Sequence, residues 1–275
     1  MAQIDIDAVL KSKAPKASRY VPRFVVNYLK RILHVDQINA VIARHWDSAP
    51  QTFIHAAFET LGVSYTIEGL DRLPRDGRYL FASNHPFGGM DGMMLADKLI
   101  DHFGDARVIV NDLLMHIEPL CPLWVPVNKH GAQSAEYARR FDEVLYGDLP
   151  VLTFPAGLCS RRHKGVVSDT PWKPNFVKKA HATHREIVPV FVEGCLSNRF
   201  YRLSNLRTRL GVKFNIEMLY LADEMFRQHG QRFRILVGEP IPLSDLHARG
   251  SAREQTEYIR RKVYELGEKL KKNGD

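Results

Sequence analysis

The apolar positions of this chain change their period once. From residue 20 to residue 62 they recur at helical spacing, through VVNYLKRIL and then APQTFIHAAFETLG, which closes on Gly62. In the first of these segments Val21, Phe24, Val25, Tyr28, Leu29 and Ile32 follow i, i+3, i+4, i+7, i+8, i+11 spacing, which is one face of a helix. Pro22 sits near its start, where a missing N–H is tolerated. From Val63 onward, short apolar runs alternate with helical stretches. Runs at 79–83, 107–110, 124–127, 151–154, 187–192 and 234–237 predict strands; helices are predicted near 92–103, 134–146, 172–184, 197–210 and 216–229. A last helix opens on the capping box Ser251-x-x-Glu254 and carries the stripe Ile259, Val263, Leu266 and Leu270. The alternation predicts an α/β fold with a mostly parallel or mixed central sheet flanked by helices. Residues 1–62 form an N-terminal basic, amphipathic helical section and residues 63–275 the α/β domain.

Composition narrows the class without changing this picture. The chain has 275 residues, 45% of them hydrophobic and 25% charged, enough to build a core without disulfides or metal and too apolar for disorder. Charge changes more. The formal net charge is +8, and seven bases (Lys11, Lys13, Lys16, Arg19, Arg23, Lys30, Arg31) lie between residues 11 and 31 with no acid among them. The rest of the chain is therefore one charge from neutral. A basic amphipathic helix suits an anionic membrane surface; the other reading is a helix packed on the protein's own core with a solvated basic face. No nucleic-acid motif accompanies the charge, so no nucleic-acid partner is expected. Cys121, Cys159 and Cys195 are odd in number and contain no C-x-x-C pair, which argues against a disulfide framework and a cysteine zinc site. The first residues lack an apolar signal core, and no uncharged stretch is long enough to span a bilayer. These features predict a cytoplasmic protein, peripheral on the inner face of the cytoplasmic membrane.

Ligands of open α/β sheets bind beyond the carboxyl ends of the strands, and two loops there carry chemistry. The first reads Asn84-His85-Pro86-Phe87-Gly88-Gly89-Met90-Asp91-Gly92. Its glycines permit φ > 0, so the chain can fold back and bring Asp91 to His85 as a base and its orienter. The same residues equally describe a tight turn with a structural histidine and an aspartate capping the next helix. No third ligand is placed for a metal. The second loop reads Phe154-Pro155-Ala156-Gly157-Leu158-Cys159-Ser160-Arg161-Arg162-His163-Lys164. Its cations suit an anionic ligand or a solvated basic loop. Cys159 lacks the second glycine of a nucleophile elbow.

The run from Asn84 to Asp91, then FPAGLCSR about 70 residues later, then Ile187-Val188-Pro189-Val190, resembles the glycerophosphate and lysophospholipid acyltransferase family over roughly residues 70–242. NHPFGGMDG and LSNRFYRLSNLRTRLGVKF are most similar to its aminolipid O-acyltransferase branch. The resemblance implies that His85 is the general base and Asp91 its orienter. It implies a substrate-binding set of Asn84, Gly88, Gly89, Gly157, Ser160, Arg161, Arg162, Lys164 and Pro189. It implies an acyl carrier protein or coenzyme A thioester as co-substrate, a lyso-lipid acceptor, and no bound cofactor or metal. The family spaces its His and Asp by four residues; here five intervene. The family's Glu, Thr and Arg of the second motif are Ala156, Leu158 and Cys159 here. Those departures keep open a lysophosphatidate acyltransferase with an altered second motif, or a catalytically silent lipid-binding protein. Residues 196–213 are basic and acid-free, with Phe200, Tyr201, Leu203, Leu206 and Leu210 interleaved; this is either a solvated helix or a dock for an acidic carrier protein or anionic headgroups. Asn111, Asp112, Asn128 and Lys129 end predicted strands as pocket candidates, whereas Trp124 and Trp172 read as packing residues.

Overall fold

A computed structural model describes residues 4–13, 20–127 and 134–272. Lys16, Arg19, Asn128 and Lys129 lie outside these described residues. The helices are α1 (Ile6–Lys13), α2 (Arg23–Ile32), α3 (Val35–His45), α4 (Pro50–Leu61), α5 (Gly89–Phe103), α6 (Ser134–Tyr146), α7 (Asn175–Thr183), α8 (Asn198–Arg209), α9 (Leu221–Phe226), α10 (Leu243–His247) and α11 (Ala252–Lys272). The strands are β1 (Ser64–Glu68), β2 (Tyr79–Ser83), β3 (Arg107–Asn111), β4 (Trp124–Val127), β5 (Val151–Thr153), β6 (Arg161–His163), β7 (Val166–Ser168), β8 (Glu186–Val192) and β9 (Arg232–Val237). They divide between two compact units.

One unit comprises Met1–Val63, His116–Pro122 and Leu196–Gly230. It is helical, and two later segments complete the N-terminal section. The six-residue apolar face of α2 divides its work. Ile32 is buried and Val21, Val25 and Leu29 are partly covered, but the residue packed against Ile6 and Val35 is Val26, which the predicted stripe does not include. Phe24 remains 74% exposed and Tyr28 37%. In Leu196–Gly230 the acids turn inward. Glu217 is fully buried and 2.9 Å from Arg207 Nε, while Glu224 accepts the Ser197 N–H and hydroxyl. The predicted helix near 216–229 resolves into a 3-10 turn, Ile216–Tyr220, and α9.

The other unit comprises Ser64–Met115, Leu123–Cys195 and Gln231–Asp275. Its seven-stranded sheet has the order β1-β9-β8-β2-β5-β3-β4, parallel except where β8 meets β9. The sheet is thus mixed, with helices on both faces. Leu80 and Ala82 of β2 join Ile187, Val177, Ile259 and Val263 in one buried cluster. Strand alternation turns Tyr79 and Phe81 to the opposite face, where their rings meet Phe103 of α5. β1, with only alternate residues partly covered, had no continuous apolar run to predict it. The capping box of α11 forms, with Ser251 N–H donating to Glu254 at 2.7 Å.

Arg185, just before β8, is fully buried and donates to the carbonyls of Tyr79, Val144, Leu145, Gly147 and Leu149. It gathers the orphan carbonyls at the end of α6 and ties them to the start of β2. Burial lowers its guanidinium to about 10, still charged at neutral pH. Arg185→Met strands these carbonyls and is expected to lower unfolding free energy by about 3–5 kcal/mol in urea titration. A loss below about 1 kcal/mol would show that water replaces the guanidinium.

Candidate active site

The first loop leaves β2 and enters α5 within six residues. Asn84 fixes its origin: its amide donates to Val192 O at 2.9 Å and its Oδ1 accepts Val192 N–H at 2.7 Å, extending the β2–β8 ladder with a side chain. Gly88, at φ +83°, turns the chain into the helix. Asp91 is the third helical residue and fully buried. Its Oδ2 accepts the N–H groups of Phe87 (2.9 Å) and Gly88 (3.0 Å) and lies 2.9 Å from His85 Nδ1. The two readings of the loop are therefore one arrangement, since the carboxylate that caps α5 also faces the imidazole. The fifth intervening residue is absorbed at the Gly88 turn. Burial raises the Asp91 pKa above the usual carboxylate range, opposed by His85 and by the two N–H groups. Phe87 is held beneath the loop against Phe233; a Cβ on Gly194 would come within 2.2 Å of its ring, so only glycine fits there.

His85 is fixed from the second loop as well. Ser160 N–H donates to His85 O at 2.8 Å, and His85 N–H donates to Asp169 Oδ1 at 3.2 Å. Asp169 also accepts the Ser160 hydroxyl at 2.6 Å and the Trp172 indole N–H at 2.8 Å, while its own N–H donates to the Tyr264 hydroxyl. The His85 ring stacks on Phe154 with centroids 4.1 Å apart. Nδ1 is buried, so the ring's residual exposure falls on its other atoms. A proton on Nδ1 would face the Asp91 carboxylate and leave Nε2 to accept one. Neither Asp169 nor Phe154 stood out in the sequence; nothing in SDTPW marks an aspartate that bonds 84 residues back.

The remaining expected substrate residues separate. Asn84 and Ser160 are buried, with their polar atoms committed to Val192 and Asp169, so they hold the loops rather than face a ligand. The expected basic loop is a β-hairpin: β6 and β7 pair antiparallel across Lys164-Gly165, both at positive φ. Arg161 turns inward, 5% exposed, and donates to the Cys159 and Ser160 carbonyls, whereas Lys164 stands at the exposed tip. Strand alternation puts Arg162 on the face opposite Arg161, so the three cations do not converge. Pro189 is buried mid-sheet between Ala82 and Gly238. Its C=O accepts from Gly238 N–H, so its missing N–H faces the same side and costs the β2 ladder nothing. Gly89 is open, a Cβ there meeting nothing within 4 Å, whereas Gly157, at φ +67°, is crowded: a Cβ there would lie 3.1 Å from Lys173 Nζ. Ala156, where the family has Glu, sits in the apolar cluster with Trp172 and Phe176. Cys159 is buried, and burial pushes its thiol up to about 12.

Comparison with known proteins assigns the class of the chain. The family model described as Acyltransferase matches residues 8–273. The chain is 42% identical over 264 residues to the lyso-glycine lipid O-acyltransferase of Bacteroides thetaiotaomicron, covering 96% of this chain and 97% of that one. It is equally similar, 42%, to the enzyme of the same name from Phocaeicola vulgatus, covering 96% and 95%. The crystal structure of the 1-acyl-sn-glycerophosphate acyltransferase PlsC from Thermotoga maritima superposes with a TM-score of 0.51 at 18% identity, over 89% of this chain and 95% of that one, and shows the fold. This chain belongs to the acyltransferase family and is an acyltransferase.

Asp91→Asn keeps the carbonyl that caps Phe87 and Gly88 but removes the charge facing His85. It is expected to keep the fold and to lower kcat by about 10²–10⁴-fold. Asp91→Ala strands both N–H groups and is expected to lose about 2–4 kcal/mol of stability in denaturant titration. Equal stability of the two variants would refute the capping role. Thiol labelling separates the cysteines: with Cys159 near 12, only about one molecule in 10⁴ carries its thiolate at pH 8. Alkylation of the native protein followed by peptide mapping is expected to modify exposed Cys195 and spare Cys159 until denaturant is added.

Proposed function

We propose that the protein transfers an acyl group from a thioester donor, acyl carrier protein or coenzyme A, to the hydroxyl of a lyso-lipid acceptor, a lyso-glycine lipid being the favoured one. The observation that carries the mechanism is the 2.9 Å approach of His85 Nδ1 to buried Asp91. The acceptor hydroxyl gives its proton to His85 Nε2 as its oxygen attacks the thioester carbonyl. The C–S bond breaks, and the departing thiolate takes the proton from the imidazolium. Asp91 holds the ring and stabilises its cationic form. No covalent acyl-enzyme is needed, and buried, protonated Cys159 is unsuited to forming one.

Support for the acceptor comes from the 42% identity with two lyso-glycine lipid O-acyltransferases over nearly the full length of each. The hairpin agrees with it. Arg161 is turned onto its own loop, so a dense guanidinium clamp for a phosphate monoester is not assembled there. This favours the aminolipid acceptor over lysophosphatidate.

The test incubates the purified protein with synthetic lyso-glycine lipid or lysophosphatidate and an acyl thioester, with product read by mass spectrometry. Acylation of the glycine lipid is expected, with a much higher kcat/KM than for lysophosphatidate. His85→Ala is expected to lower kcat by about 10³-fold or more while the circular-dichroism melt is unchanged. A folded His85→Ala protein with the parent rate would overturn the mechanism, and preference for lysophosphatidate would overturn the acceptor.

A further inference from the structure

Residues 154–185 contain seven lysines and arginines and a single acid, Asp169. That acid is buried, and its oxygens are committed to His85 N–H, the Ser160 hydroxyl and the Trp172 indole. Several of the bases are also spoken for. Arg161 and Arg185 serve backbone carbonyls, and Lys179 pairs with Asp142. Lys173 is exposed and makes no ion pair among the described residues. Its root is nonetheless held. Its N–H donates to Pro155 O at 3.0 Å, and the Trp172 indole just before it donates to Asp169 Oδ2 at 2.8 Å. The other oxygen of that carboxylate accepts the His85 N–H. One buried aspartate thus carries the proposed base on one oxygen and the root of Lys173 on the other.

Pro155 lies in a turn closed by Gly157 N–H donating to Phe154 O at 2.9 Å. Phe154 opens this turn and stacks on the His85 ring; Gly157 ends it beneath the Lys173 ammonium. The ends of such a turn lie within about 7 Å of each other. Base and ammonium therefore stand at opposite ends of one four-residue turn. An acceptor needs two handles here, a hydroxyl to lose its proton and a head that sets which lipid is taken. Glycine carried in a lipid through its amine keeps a single carboxylate. One ammonium matches one carboxylate, whereas a phosphate monoester suits paired guanidiniums. We propose that Lys173 selects the acceptor, its ammonium taking the glycine carboxylate while His85 takes the hydroxyl proton. This deepens the proposed function and rests on the acceptor named there. It also explains how a loop whose Arg161 is turned inward still recognises an anionic head.

The test measures binding, which does not require turnover. A short-chain lyso-glycine lipid, monomeric in water, and its primary amide differ only at the head; each is titrated into the full chain by calorimetry. Wild type is expected to bind the acid about tenfold more tightly than the amide. Lys173→Met keeps the backbone bond to Pro155 O and most of the stem, and is expected to bind the two compounds alike. Lys173→Arg is expected to restore the preference for the acid. Equal affinity of wild type for acid and amide, an undiminished preference in Lys173→Met, or failure of wild type to bind either compound would overturn the inference. So would a raised KM for the acyl thioester in Lys173→Met with the acid preference retained, which would give the ammonium to the donor's phosphate. A preference for the acid that Lys173→Met abolishes, in a wild type that transfers no acyl group, would instead remove the proposed reaction and leave the headgroup contact standing.

Discussion

A carboxylate with no solvent exposure is the constraint around which the loop between β2 and α5 is arranged. Burying Asp91 is costly unless its charge is met, and burial raises its pKa accordingly. The compensation comes from two backbone N–H groups, the amino end of a fifteen-residue helix and an imidazole. Each of these requires a particular backbone. Aiming the Phe87 and Gly88 N–H groups at one oxygen needs the positive φ of Gly88. Holding Phe87 still needs a ring-sized space, which exists only because residue 194 has no side chain. The carboxylate oxygen that caps the helix is thus the same one that faces the His85 ring.

The second loop contributes rigidity rather than charge. Asp169 joins the His85 N–H, the Ser160 hydroxyl and the Trp172 indole, so the backbone of His85 is held from the β5 side while its ring is held from α5. The expected anion clamp becomes a hairpin whose alternating faces send neighbouring arginines apart. An imidazole restrained at its N–H, its carbonyl, its Nδ1 and its ring face loses little conformational freedom when a reaction begins.

Different parts of this arrangement were legible in the chain for different reasons. The central strand β2 announces itself because it is buried on both faces: YLFA is an unbroken apolar run. β1 and the β6–β7 hairpin lack that signal, since SYTIE alternates and RRH is basic. The His85–Asp91 pairing was legible because both residues lie in one glycine-rich loop, where a local turn suffices. Asp169 was not, because its importance arises from chain segments brought together by the sheet. The α2 stripe predicted one apolar face. Spacing put Phe24 on that face and left Val26 off it, whereas packing against α1 and α3 covers Val26 and leaves Phe24 outside.

The helical unit is assembled from both ends of a long detour. Residues up to Val63 belong with Leu196–Gly230, and the whole of β2 to β8 is strung between them. During synthesis the first helices leave the ribosome well before their partners. At ordinary elongation rates, roughly ten to thirty seconds separate the emergence of α4 from that of α9. Throughout that interval Tyr28 and His34 lack the Tyr220, Asp223 and Phe226 side chains that they meet in the finished protein. The order of the chain thus imposes a wait on this unit, and a permuted chain joining its two halves directly would remove it.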